Sequence, residues 1–129
     1  MKIYIFGNKD LEFDSLPLRI LPELKRRFPQ IEFEIKDPNE ELDIPEELII
    51  IDTVSGIDSV KVFSDLKNFA AHPNVSLHDF DLYSNLRYLG KLGKLKEIKI
   101  IGVPPTISEK KIVEEITTIL NNLATPGDA

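Results

Sequence analysis

Cysteine is absent from the 129 residues. That absence removes disulfides, thiolate zinc sites, iron–sulfur clusters and cysteine nucleophiles in one step. Histidine is scarce, and any imidazole chemistry falls on His72 or His78. Basic residues are outnumbered, 16 against 22 acidic ones, for a net charge of −6. That balance disfavours sequence-independent nucleic-acid binding and attraction to anionic membranes, because both need excess positive charge. No apolar run is long. The opening stretch MKIYIF breaks at Gly7, too short for a secretory signal and far too short for a membrane span. A cytoplasmic, soluble protein is the expectation. HExxH, P-loop and GxGxxG motifs are all missing, so no generic catalytic signature dictates the chemistry.

What is present is ordinary globular composition, 42% hydrophobic and 29% charged, enough to build one real core. The chain reads as a single α/β domain over 1–124 with a frayed tail at 125–129. Lys2–Phe6 is β-branched and aromatic and ends at Gly7-Asn8, a strand followed by a turn. Gln30–Lys36 alternates Ile31, Phe33 and Ile35 with charged residues, as a half-exposed strand near an edge would. Leu48–Ile51 is apolar throughout and runs into Asp52, while Ile98–Val103 is similar and stops at Pro104-Pro105. Such runs suit central parallel strands covered on both faces. Ser59–Ser64 fits a strand better than a helix.

Helical spacing fills the gaps. Leu16, Ile20, Leu24 and Phe28 recur every four residues, predicting a helix over Ser15–Phe28, with a kink or a late start at Pro22. Asp81–Leu92 carries Leu82, Leu86 and Leu89 on one face. Thr106 and Glu109 have capping-box spacing before Ile112, Ile116, Ile119, Leu120 and Leu123, the last helix. Pro38–Glu47 is an acidic connection. The order implies a three-layer sandwich, a mostly parallel or mixed sheet of about five strands with helices on both faces. Right-handed crossovers then bring the strands' carboxyl ends to one edge, where open α/β sheets bind ligands.

Three polar groups from separate loops can meet on that edge: Asp14 before the first helix, Asp52 after the apolar strand, and His78 in Val75–Asp79. Two carboxylates and an imidazole suit a metal site or an acid–base pair. Bland roles exist for each. Asp14 or Ser15 can cap the first helix, Asp79 and Asp81 can cap the second, Gly7-Asn8 can be a plain turn, and His72 fits an exposed loop. Asp52 is the hardest to dismiss, since a carboxylate at the rim of a core is costly unless paired or used.

The run Ile5-Phe6-Gly7-Asn8-Lys9-Asp10-Leu11-Glu12-Phe13-Asp14 resembles the N-terminal signature of hydrogenase maturation proteases. Ile49–Val54 resembles their second signature, an apolar strand ending in Asp and a small residue. Ser76-Leu77-His78-Asp79 resembles the third, and Ile100–Pro105 their last strand. The resemblance runs in order over nearly the whole chain. It implies an endopeptidase that removes the C-terminal peptide of a nickel–iron hydrogenase large-subunit precursor once nickel is inserted. It further implies that Asp14, Asp52 and His78 recognise the nickel, that Asp14 or Asp52 assists as base, and that Gly7 and Asn8 shape the loop. Nickel would come with the substrate protein, with no tightly bound cofactor of the chain's own. The partner would be that precursor, met by a monomer.

Two departures leave alternatives open. Ile5 stands where the family commonly has Gly, and Phe13 where it has the first of an acidic pair. They allow a non-catalytic or differently specific relative that binds a metal or protein partner through the same pocket. A receiver-like phosphoacceptor domain on Asp52 ranks lower. It needs an acidic pair after the first strand and a lysine after the last, where Gly7-Asn8 and Pro104-Pro105 stand.

Overall fold

A computed structural model describes residues 2–7, 10, 15–36, 47–54, 56–64, 88 and 97–124. In chain order these form β1 (Lys2–Phe6), α1 (Leu16–Arg27), β2 (Glu32–Lys36), β3 (Glu47–Thr53), β4 (Lys61–Phe63), β5 (Glu97–Val103) and α2 (Glu109–Ala124). The five strands make one sheet in the order β2-β1-β3-β5-β4. β1 runs parallel to β2 and β3, β3 parallel to β5, and β4 antiparallel to β5. The fold is therefore α/β on a mixed sheet. The two aliphatic-rich runs, Leu48–Ile51 and Ile98–Val103, occupy its interior, and the alternating strand lies at one edge.

Pleating divides the core in two. Ile3, Ile5, Ile51, Ile101 and Val103 face Leu16, Ile20 and Leu24 of α1 and Ile112, Ile116 and Leu120 of α2. Burying each of these side chains is worth about 1.5–3 kcal/mol against exposure, which is why the four-residue spacing of α1 and α2 was readable at all. On the opposite face Tyr4, Phe6, Leu48, Ile50, Val54, Phe63, Ile98 and Ile100 form a second buried cluster. The expected helix over Asp81–Leu92 lies outside the described residues except for Tyr88, as do residues 38–46 of the acidic connection, whose last residue Glu47 instead begins β3, and the tail 125–129.

Several local expectations need correction. α1 starts at Leu16 and continues through Pro22, which is exposed. No late start occurs, because Pro17 already occupies the first turn, where a missing N–H costs nothing. Basic Lys25, Arg26 and Arg27 close the helix at the negative end of its dipole. Ile35 is 56% exposed despite its place in the alternation. It sits near the end of an edge strand, with a strand neighbour on one side only among the described residues.

The cap of α2 is Ser108 rather than Thr106. Ser108 Oγ accepts the Lys111 N–H at 3.2 Å, and its carbonyl accepts the Ile112 N–H at 3.0 Å. Ser108→Ala should lower stability by about 1 kcal/mol and Thr106→Ala by much less, read from paired thermal melts. The reverse ranking would restore Thr106 as the cap.

Surface charges organise locally. Glu34 lies between Lys2 (3.2 Å) and Lys36 (3.1 Å), and both ammonium groups stand over the Tyr4 ring. The Lys36 hydrogen bond first, then that of Lys2, hold the Glu34 carboxyl below the usual range. A depressed carboxyl binds fewer protons folded than unfolded, so its contribution is complete above the ordinary carboxylate range and fades as pH falls through the lowered value.

Candidate functional site at the carboxyl edge of the sheet

Because β1, β2, β3 and β5 are parallel, their carboxyl ends share one edge. Antiparallel β4 brings its beginning, Lys61, to the same edge. Along β3 the side chains alternate. Leu48, Ile50 and Val54 belong to the second cluster, so Asp52 faces that side. Ile51 faces the helices, and Thr53 shares its side.

Asp52 is fully buried, 0% exposed. The Thr53 N–H donates to its Oδ1 at 2.9 Å. A dry carboxylate is costly unless it is hydrogen-bonded, paired or used, and Asp52 sits at the mouth of a rigid central strand. Beyond it the Val54 N–H donates to the Val103 carbonyl at 2.9 Å, so pairing of β3 with β5 continues past the carboxylate. The neighbouring Thr53 is also buried, and its Oγ1 has no hydrogen-bond partner among the described residues.

Register completes the row. Asp52 lies opposite Gly102, and Gly102 opposite Lys61. A Cβ at position 102 would stand 2.9 Å from Val54 Cγ2 and 3.1 Å from Phe63 Cε2. Glycine thus lets Val54 and Phe63 close over the strand beside Asp52. The signal for this is present in the sequence, as a glycine inside the aliphatic-rich strand run Ile98–Val103. Lys61 carried no such signal, because only non-local pairing brings it to this edge.

Of the residues expected to form the site, Gly7 follows β1 and is half-buried. Asn8, Asp14 and His78 lie outside the described residues, as do His72, Asp79 and Asp81. Among the described residues no three His, Asp or Glu side chains gather as a metal would need. Ser15 does not cap α1 with its side chain. Its Oγ accepts the Arg19 Nε–H at 3.1 Å instead, while its carbonyl takes the Leu18 and Arg19 amides.

The fold and this edge define a class, an α/β protein with a buried Asp at the carboxyl end of its central strand. Solved structures similar to it in fold include hydrogenase maturation endopeptidases. The hydrogenase maturating endopeptidase HybD from Escherichia coli superposes with a TM-score of 0.58 at 22% identity, over 87% of this chain and 79% of its own. An Escherichia coli endopeptidase solved in solution gives 0.57 at 19%, over 81% and 74%. The hydrogenase 3 maturation protease gives 0.61 at 16%, over 95% and 88%. At these identities the likeness is one of fold. No family model and no curated protein matches the sequence. The receiver-like alternative calls for the 2-1-3-4-5 parallel order of flavodoxin-type sheets, whereas here the last two strands are exchanged and β4 is antiparallel. Among the described residues no helix is long and apolar enough to cross a membrane.

Proposed function

We propose that this chain is a divergent hydrogenase maturation endopeptidase. It removes a C-terminal peptide from a nickel-loaded large-subunit precursor, acting as a single domain on a folded partner. The observation that carries this reading is Asp52, a fully buried carboxylate at the end of the central strand, in a fold shared with hydrogenase maturating endopeptidases. Asp14 and His78 are the other two groups of the site, with Gly7 and Asn8 shaping the loop beside them.

The chemistry suits the groups. Nickel accepts carboxylate oxygen and imidazole nitrogen, so two Asp and one His can complete the sphere of an ion the substrate already holds. The metal then reports that assembly is finished and docks the tail. An anionic oxygen at Asp52 or Asp14 can take the proton of the water that attacks the peptide carbonyl. A strand end holds such an oxygen more rigidly than a free loop would.

Ile5 does not crowd the Asp52 side of the sheet. Its side chain is 0% exposed and packs in the helix-side cluster, level with Ile51. The bulk that replaces a family glycine is therefore taken up on the face opposite Asp52. The test is incubation of the purified chain with a nickel-loaded precursor, followed by mass spectrometry of the large subunit. Wild type should release the tail, whereas Asp14→Asn and His78→Ala should slow release by about 10²-fold or more. Normal trimming by both variants would remove Asp14 and His78 from the site.

A further inference from the structure

Lys61 is an exposed cation at the start of β4. It lies in the same cross-strand row as Asp52, two strands away, with Gly102 between them. Strands are about 4.8 Å apart, so the two Cα atoms are about 10 Å apart. Phe63 belongs to the second cluster, and residues two apart on a strand share a face, so Lys61 and Asp52 face the same side. The Lys61 side chain rests with Nζ 5.3 Å from the Phe63 ring centroid. Phe63 in turn covers Gly102 beside Asp52.

The backbone under this lysine is also fixed. The Val60 N–H donates to the Glu115 carboxylate of α2 at 2.8 Å, and β4 then pairs with β5. Among the described residues Lys61 makes no ion pair. In a protein of net charge −6, a cation with no ion pair among the described residues, on the same face and in the same row as a buried carboxylate, is placed to meet negative charge of a ligand.

We propose that Lys61 is a specificity-determining residue that binds a carboxylate of the substrate polypeptide while the scissile segment lies at Asp52. The inference rests on the endopeptidase reading and deepens it. It assigns the substrate an acidic group about three residues' length from the reacting bond, since an extended chain advances roughly 3.3 Å per residue. The carboxylate comes either from an acidic side chain or from the substrate's chain end. Lys61 contributes to binding and stays out of the bond-breaking step, so its effect belongs in KM rather than kcat.

The experiment is steady-state trimming of a nickel-loaded precursor by wild type, Lys61→Ala, Lys61→Arg and Lys61→Glu, each first checked for an unchanged thermal melt. Expected are a rise in KM of about fivefold to tenfold for Lys61→Ala and more for Lys61→Glu, with kcat unchanged. Lys61→Arg should stay within about twofold, and about 0.5 M salt should narrow the differences. Two altered precursors separate the sources. Neutralising the acidic residues near the cleavage point tests the side chain, and lengthening the C-terminus with Gly-Ser tests the chain end. One of these should reproduce the KM of Lys61→Ala and make wild type and Lys61→Ala alike. An unchanged KM in Lys61→Ala, or a Lys61→Arg as impaired as Lys61→Ala, would overturn the assignment while wild-type trimming kept the endopeptidase reading. Failure of wild type itself to trim would instead remove that reading, and the Lys61 assignment with it.

Discussion

Asp52→Asn is expected to lower trimming of a nickel-loaded precursor by about 10²–10⁴-fold while the protein stays folded. The change removes charge and basicity but little volume. Asn keeps a carbonyl oxygen that can accept the Thr53 N–H now donated to Oδ1 at 2.9 Å. It also relieves the cost of holding a carboxylate in a site with no exposure. Stability should therefore stay within about 2 kcal/mol of wild type. Single-turnover trimming beside a thermal melt separates the two effects. Full activity in a folded Asp52→Asn would mean that the buried carboxylate is structural.

Gly102→Ala should act in the opposite way, on the fold before the chemistry. Its new Cβ would stand 2.9 Å from Val54 Cγ2 and 3.1 Å from Phe63 Cε2, and 3.3 Å from Val54 Cβ. Val54 is β-branched and stiff about χ1, and it is 1% exposed, so it has little room to turn away. Gly102 is also paired on both sides, to Asp52 and to Lys61, which restrains the backbone from yielding. Overpacking of this kind costs about 1–3 kcal/mol, a fall in Tm of roughly 4–10 °C for a chain of this length. A double-mutant cycle identifies the cause. In a Val54→Ala background the same substitution should cost markedly less, because the offending methyl is gone. Equal costs in both backgrounds would place the strain elsewhere.

How far the molecule could be read from its residues depends on how local each determinant is. Leu48–Ile51 and the mostly aliphatic Ile98–Val103 are legible as interior strands because runs rich in branched aliphatics need cover on both faces. The alternation of Ile31 and Phe33 with charged residues located the edge for the converse reason. Lys61–Phe63 was less clear. Three residues carry no period of their own, and their strand state comes from pairing with Ile100, Ile101 and Gly102 far along the chain. Spacing alone puts the cap of α2 two residues early, because Thr106 and Ser108 offer the same hydroxyl chemistry and Ser108 is the one that accepts an N–H. Asp52 is legible as the point where an apolar strand meets a charge. The row it forms with Gly102 and Lys61 is set by strand register, which no short window of sequence contains.

The central claim is that nickel carried by a precursor licenses cleavage at the edge where Asp52 lies. Its most direct test is a paired mass measurement of one large-subunit precursor, nickel-loaded and nickel-free, after incubation with the purified chain. The loaded precursor should lose its C-terminal peptide in a single cut, and the nickel-free one should keep it. Equal cutting of both forms, or no cutting of the loaded form, would contradict the account.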